Sequence, residues 1–146
     1  FVVRPWTLDG LVVPDNVTVH CNLPWEQTWS LAWHATAGLI SLRDRMAPNG
    51  HVSVVGGMHI GKAHIVSDSL GIADYAINGA TALVVPTGDA RAFARAIDQL
   101  SDEPGTVRRL GETAQAFARA HCTEQHTVDY FSGYLAYLRA RGRLPA

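Results

Sequence analysis

The chain has 146 residues, 47% hydrophobic and 17% charged, a composition that fits a globular domain able to bury a core. Its 12 lysines and arginines face 13 aspartates and glutamates, so a formal net charge of −1 leaves no basic surplus to neutralise nucleic-acid phosphates. The longest uncharged runs, 27–42 and 46–61, contain polar residues and fall short of the roughly 20 apolar residues that span a membrane. We therefore expect no nucleic-acid partner and no transmembrane segment.

The cysteine content and the first residues bear on the compartment. Two cysteines, Cys21 and Cys122, are too few for a disulfide scaffold, and no basic and apolar leader opens the chain. These features favour a reducing, cytoplasmic environment. Because the first residue is Phe1 and not methionine, we expect the chain to be part of a longer protein.

Short β-rich runs alternate along the chain with longer segments of helical period. This pattern predicts an α/β fold, with a parallel sheet covered by helices. The predicted strands are apolar or β-branched, are bounded by turn residues, and cover residues 1–3, 17–21, 37–42, 64–67 and 82–85. Pro24 is placed in the first turn of a helix whose indoles, Trp25, Trp29 and Trp33, recur every four residues. We assign that stripe to core packing.

The last third of the chain carries three helical segments. Asp89 is placed to cap a helix with apolar residues at Phe93, Ala94, Ile97 and Leu100. Pro104 begins the next helix, with inward-facing residues Val107, Leu110, Ala114 and Phe117, and Thr123 caps the last, at about 123–141. That last helix has one stripe assigned to the core, Val128, Phe131, Leu135 and Leu138, and an offset stripe, Tyr130, Tyr134 and Tyr137, of which at least two are expected to be exposed.

A P-loop motif is present only in part. Gly56, Gly61 and Lys62 match its glycine and lysine spacing, but Ala63 stands where serine or threonine would hold magnesium. A β-branched run follows instead of the required helix. The sequence therefore argues against an ATPase of this type.

The seven histidines suggest a metal site, because His20-Cys21 and His121-Cys122 repeat a dipeptide of zinc-ligand types. Their spacing matches no local zinc motif, and adjacent residues of a strand point to opposite faces. We predict buried thiols and hydrogen-bonded histidines, and no metal site.

Residues 51–57 are ambiguous by local propensity alone. Val52, Val54 and Val55 favour a strand, and Gly56-Gly57 would cost a helix roughly 1 kcal/mol for each glycine. Composition at this point therefore predicts a strand.

A longer order of motifs contradicts that local prediction. It consists of Asn49-Gly50-His51, Met58, Gly61-Lys62-Ala63-His64-Ile65-Val66-Ser67-Asp68, Gly71-Ile72, Asn78-Gly79, Leu83-Val84-Val85-Pro86 and Gly88-Asp89. In this spacing the chain, over about Asn16 to Leu100, resembles the carboxy-terminal, donor-binding half of nucleotide-sugar glycosyltransferases with the GT-B fold. It is similar to the retaining class of bacterial mannosyl- and hexosyltransferases. The resemblance implies a Rossmann-like parallel sheet with helices on both faces, and a helix over 51–60.

The resemblance also implies a binding site at the amino terminus of that helix. There, free backbone amides and the helix dipole would bind the diphosphate of a nucleoside-diphosphate sugar. The implied residues are Asn49, Gly50, His51 and Val52, with Asp44 in the preceding loop as a sugar contact. Catalysis would come from positioning and from stabilising the departing diphosphate, with no metal and no cofactor. No catalytic residue is assigned.

The chain departs from the family at two glutamates, which by spacing fall on Pro48 and Gly56. The family's basic diphosphate-binding pair would lie before Phe1. The first hypothesis is the donor-binding half of a cytoplasmic glycosyltransferase, with 1–146 as a single, incomplete nucleotide-sugar-binding domain. The helix at 123–141 would then face an absent amino-terminal domain, and the longer protein could associate peripherally with a membrane. The alternatives are a non-catalytic domain of the same fold, acting in binding or assembly, and half of a nucleotide-sugar epimerase.

Overall fold

The structure, a computed structural model, describes residues 2–3, 8–43, 46 and 49–143. In chain order its elements are β1 (Val2–Val3), β2 (His20–Cys21), α1 (Trp25–His34), β3 (Ala37–Ile40), α2 (His51–His59), β4 (Ala63–Ser67), β5 (Leu83–Val85), α3 (Ala90–Asp102), α4 (Pro104–His121) and α5 (Glu124–Ala140). A 3-10 turn at Leu70–Ile72 follows β4. The chain divides into two compact units, Phe1–Ala35 and Thr36–Ala146. The prediction of a single domain over 1–146 stays a prediction.

The first unit contains a short parallel pair of strands and one helix. Val2 lies opposite His20 and Val3 opposite Cys21 in the register of β1 and β2. β2 is shorter than the predicted strand at 17–21, because the Val17 amide is held in a turn by the Pro14 carbonyl oxygen at 3.0 Å. Helix α1 begins at Trp25, so Pro24 stands just before the helix and not in its first turn as predicted.

The tryptophan stripe of α1 does not form a core, so the packing prediction for it is wrong. Trp25 is 64% exposed and Trp33 58% exposed, and none of the described residues of α1 is buried. Trp29 is half-buried and meets Trp25 edge-on, with ring centroids 5.3 Å apart. Helical spacing decides which side chains share a face, whereas burial needs another element to cover that face.

The second unit is built on a three-stranded parallel sheet in the order β3, β4, β5. Ala37 lies opposite Ala63, and Ile65 lies opposite Leu83. Every residue of the central strand β4 is buried, as expected where helices cover both faces of a parallel sheet. β3 ends at Ile40, two residues before its predicted end at Leu42.

Two apolar clusters lie on opposite faces of β4. Val66 packs with Val54 and Met58 of α2 and with Ala114 and Ala118 of α4 in the first cluster. The second cluster joins alternate β4 residues to α3 and α4, and its buried members include Ala63, Ile65, Ala92, Ala96, Leu100 and Leu110. Because neighbouring strand residues point to opposite faces, α2 and α3 cover different sides of the sheet. The predicted α/β fold with helices on both faces is confirmed.

Helix α2 confirms the expectation taken from the family resemblance over the strand that local propensity favours. Residues His51–His59 are helical, and the buried pair Val54 and Met58 is spaced by four residues toward the sheet. Lys62, which would follow the glycines of a P-loop, lies in the turn that leads directly into β4. Apolar packing thus outweighs the intrinsic cost of two glycines in the helix.

Helices α3 and α4 begin as the sequence predicts. Asp89 Oδ1 accepts a hydrogen bond from the Ala92 amide at 2.8 Å, and a proline stands in the first turn of α4. The buried face of α3 differs from the predicted spacing, since its core residues are Ala92, Ala96 and Leu100 while Ile97 is exposed. In α4, Leu110 and Ala114 are buried as predicted.

The core stripe predicted for helix α5 is wrong. Thr123 caps it as predicted, accepting from the His126 amide, but none of its described residues is buried. Val128, Phe131 and Leu135 are exposed. The tyrosine prediction is confirmed, with Tyr130, Tyr134 and Tyr137 all exposed. Within the described part of the chain, no helix is both long and apolar enough to cross a membrane.

Candidate functional site

The carboxyl ends of the three parallel strands meet at one edge of the sheet, and hydrogen bonds join the segments that follow them. The Leu42 amide donates to Ser67 Oγ at 3.0 Å, linking the chain after β3 to the end of β4. The Asp68 amide donates to the Val85 carbonyl oxygen at 2.7 Å, and the Thr87 hydroxyl donates to the Asp68 carbonyl oxygen. This edge is therefore held together across all three strands.

Gly50 places the start of α2 close against the end of β3. It has a left-handed backbone, with φ at 81°, which favours glycine over any residue with a side chain. A Cβ atom at this position would lie 3.1 Å from Ile40 Cγ2 and 3.3 Å from Leu42 Cδ2. The backbone angle favours glycine here, and a side chain would fit only if Ile40 and Leu42 shifted slightly.

The first turn of α2 leaves backbone donors free. The first hydrogen bond of the helix runs from the Val54 amide to the Gly50 carbonyl oxygen at 2.9 Å. No acceptor within the described residues bonds to the amides of His51, Val52 or Ser53, and this turn has neither a side-chain cap nor an acidic residue. Unpaired amides and the positive end of the helix dipole together favour an anion at this position.

The predicted diphosphate residues come together in this turn. Asn49, His51 and Val52 are exposed and Gly50 is half-buried, so the turn is open to a ligand. Whether these residues bind a ligand stays a prediction.

Of the residues connected with the sugar and with the family glutamates, the structure describes only Gly56. Asp44 and Pro48 lie outside the described residues. Gly56 lies in the second half of α2, where its carbonyl oxygen accepts from the Ile60 amide at 3.3 Å. At that position the helix presents no side chain.

An open groove of about 320 Å³ begins at the same edge of the sheet, which the sequence did not predict. It runs from Ser41 and Gly88 along the first turns of α3, where Phe93 and Ile97 line it. Its lining is mostly apolar, as is common in sites for organic ligands.

His64 is a second feature that the sequence prediction missed. It is buried in β4, and its Nδ1 atom has no hydrogen-bond partner among the described residues. Burial lowers the pKa of His64 to about 4, an effect that a nearby backbone group of Lys62 opposes only in part. The unexplained glycine pair inside α2 was the available signal, since Gly57 lies directly against the His64 ring.

The other histidines and the thiols only partly follow the prediction. Hydrogen bonds hold the rings of His34, His59 and His126, as expected. The prediction of buried thiols is wrong for Cys21, which is exposed, while partial burial raises the pKa of the Cys122 thiol. Across the described residues, no three histidine, cysteine, aspartate or glutamate side chains form a group that could hold a metal ion.

Comparison with known proteins identifies the family. The sequence profile of the family described as "Glycosyl transferases group 1" matches residues 9–117. EpsD of Bacillus subtilis (strain 168), which is named as a glycosyltransferase, is 31% identical over 99 residues, covering 65% of this chain and 25% of EpsD. Sucrose-phosphate synthase from Thermosynechococcus elongatus superposes with a TM-score of 0.73 at 24% identity, covering 92% of this chain and 33% of the synthase.

The chain thus spans about a quarter of the length of EpsD and a third of the length of the synthase. The structural likeness confirms the fold that the sequence implied, the Rossmann-like half of a GT-B protein. The family profile covers most of the second unit and part of the first. The chain therefore belongs to the glycosyl transferases group 1 family.

Proposed function

We propose that this chain is the donor-binding half of a glycosyltransferase, which moves a sugar from a nucleoside-diphosphate sugar to an acceptor. The observation that carries the proposal is the uncapped start of α2 at the carboxyl edge of the parallel sheet, in a chain of this family. Ligands of open parallel α/β sheets bind outside the carboxyl ends of the strands.

The diphosphate would lie against the turn formed by Asn49, Gly50, His51 and Val52. Its oxygens would accept hydrogen bonds from the backbone amides, including that of Ser53, and the left-handed Gly50 permits close approach. The exposed His51 ring adds a possible donor on the solvent side. Asp44, which precedes this turn in the sequence, remains the residue proposed to contact the sugar.

These groups assist the reaction chiefly by holding the donor and by stabilising negative charge on the departing diphosphate. As the bond between the sugar and the diphosphate breaks, charge develops next to fixed amide dipoles, which need no reorganisation. The scheme uses no metal and no cofactor. It assigns no carboxylate to positions 48 and 56, so positioning carries most of the contribution of this half.

The acceptor would bind elsewhere in a longer polypeptide, since the chain spans a quarter of EpsD. We propose an amino-terminal domain as that partner, with the exposed tyrosines of α5 as part of the surface facing it. Tyrosine suits such an interface because its ring offers apolar area and its hydroxyl remains satisfied by water. The exposed thiol of Cys21 fits a reducing cytoplasmic location.

One observation favours a second candidate, a non-catalytic domain that retains the fold for binding or assembly. Gly56 leaves α2 without a side chain at a position where the family resemblance implies a glutamate. Loss of that carboxylate would weaken contact with the donor while leaving the fold intact.

Titration of the isotopically labelled chain with UDP, and separately with GDP, tests the proposal by amide NMR. We expect saturable shifts at the amides of Gly50 to Ser53, because those of His51, Val52 and Ser53 have no acceptor within the described residues. The absence of any change in this turn at millimolar nucleotide would contradict donor binding and favour the non-catalytic domain.

A further inference from the structure

The ring of His64 is enclosed by two glycines on neighbouring elements. Gly38 lies directly opposite His64 in the parallel register of β3 and β4. A Cβ atom on Gly38 would lie 2.6 Å from His64 Cδ2 and 2.8 Å from Nε2, closer than any ordinary contact. A Cβ atom on Gly57 of α2 would overlap His64 Cε1 and Nε2. The imidazole therefore occupies volume that both glycines leave open.

A second close contact seats the other end of α2. Gly50, seven residues before Gly57, approaches Ile40 so closely that a Cβ would lie 3.1 Å from its Cγ2 atom. Seven residues correspond to about 10 Å along a helix axis. Contacts at Gly50 and Gly57 thus define both the height and the tilt of α2 above the sheet.

Helix α4 and Cys122, the residue that follows it, restrain the carboxyl end of α2. His59 donates from Nε2 to the Cys122 carbonyl oxygen at 3.0 Å, and Gln115 Nε2 donates to the His59 carbonyl oxygen at 2.9 Å. Because these bonds hold the carboxyl end, a change in the thickness of the contact at Gly57 tilts the helix, and the tilt shifts the backbone amides of its first turn.

We propose that His64 is a positioning residue, whose ring, matched to Gly38 and Gly57, sets the tilt of α2 and so aims the amides of Gly50 to Ser53. The consequence for ligand binding rests on the proposed function, whereas the effect on the orientation of α2 does not. The side chain acts through the helix and does not contact the donor.

Variants that change the matched volumes test this role. Gly57→Ala adds a methyl group against the ring, His64→Val shortens the side chain, and the double variant combines a larger helix residue with a smaller strand residue. Leu100→Ala is the control, because Leu100 is buried in the cluster on the opposite face of the sheet. Thermal unfolding gives the stability of each, and spectra are recorded well below every midpoint.

In the unliganded proteins, we expect Gly57→Ala and His64→Val each to move the amide resonances of Gly50 to Ser53, and the double variant to bring them back toward wild type. We expect UDP to bind Gly57→Ala about tenfold more weakly and the double variant within about twofold of wild type, since contacting residues are non-additive. Leu100→Ala should lower the midpoint without moving either readout.

Unchanged resonances at Gly50 to Ser53 in a folded His64→Val would overturn the positioning role. This variant tests the role by itself, even if Gly57→Ala fails to fold. Equal shifts at these residues in Leu100→Ala would also overturn it, since general loosening would then account for them. If wild type does not bind UDP, the proposed function fails, and the unliganded spectra alone decide whether His64 positions α2.

Discussion

The imidazole of His64 and the backbone of Gly57 are packed so closely that no side chain fits between them. A glycine inside a helix costs about 1 kcal/mol relative to alanine, and α2 has two in succession. At Gly57 the cost has a structural reason, because an alanine there would collide with the ring.

Burial of His64 predicts that the fold weakens in mild acid. Its pKa is about 4 in the folded protein, below the ordinary 6.5, so the unfolded chain binds the proton more readily. The stabilisation that depends on neutral His64 is therefore fully present above about pH 6.5. The free energy of unfolding falls by about 3 kcal/mol as the pH decreases toward 4. Urea unfolding between pH 7.5 and 4 measures it. His64→Val should remove much of this dependence of stability on pH, whereas His34→Gln, at an exposed position, should not. Equal dependence on pH in wild type and both variants would contradict the role given to His64.

Gly111 is predicted to be intolerant of alanine. A Cβ atom there would overlap the Gly61 carbonyl oxygen, a backbone atom that cannot rotate away. In the variant, α4 would therefore have to move away from the turn that precedes β4. We expect Gly111→Ala to lower the free energy of unfolding by about 2 kcal/mol. The matched control is Gly133→Ala in α5, where no atom lies within 4 Å, and it should stabilise the chain by about 0.5 to 1 kcal/mol. Denaturant unfolding of both variants distinguishes packing from helix propensity, and similar changes in the two would argue against the close approach.

Ser53→Glu should separate helix stability from anion binding. A negative charge in the first turn of α2 stabilises the helix by about 0.3 to 1 kcal/mol through its dipole, but it repels a diphosphate bound at the same amides. We expect an unchanged or higher unfolding midpoint and at least about fivefold weaker UDP binding, measured by amide shifts. Thr113→Glu adds the same charge on the exposed surface of α4 and should leave UDP binding unchanged. Equal weakening in both variants would point to net charge and not to this turn.

The cap of α3 is predicted to contribute measurably to stability. Asp89 Oδ1 accepts from the Ala92 amide at 2.8 Å, and loss of such a cap costs about 1 kcal/mol. Asp89→Ala should therefore lower the free energy of unfolding by that amount. Asp98→Ala, an exposed change on the same helix, should remain within about 0.5 kcal/mol of wild type. An unchanged free energy of unfolding in Asp89→Ala would show that another group replaces the cap.

Exposed apolar residues of α5 are predicted to contribute little to the stability of this chain. Phe131 is exposed, so Phe131→Ser should change the free energy of unfolding by less than about 0.5 kcal/mol. Leu110→Ala, at a fully buried position of α4, should cost about 2 to 5 kcal/mol. Chemical denaturation compares the two. A large loss in Phe131→Ser would mean that α5 is covered in solution by a surface outside the described contacts.

Local chemistry was sufficient to predict the caps and most element types. Asp89 and Thr123 each stand directly before a helix. The side chain of each accepts a hydrogen bond from the backbone amide three residues later, an interaction that needs no distant partner. The β-branched run around Ile65 likewise predicted a strand, and the alternation of strands and helices predicted the parallel sheet. In these cases the energetic preference lies within a few neighbouring residues.

Burial, by contrast, was decided by tertiary structure. The sequence indicates that Val128, Phe131 and Leu135 share one face of α5, and likewise Trp25 and Trp33 in α1, but all of them are exposed because no described element covers those faces. Helix α2 shows the opposite case, since its valines favour a strand locally and its glycines disfavour a helix. Packing of Val54 and Met58 against Val66, with Gly57 fitted to His64, makes it a helix. Local sequence determines which side chains share a face, whereas contact with distant residues determines whether that face is buried, and those contacts exist only in the folded chain.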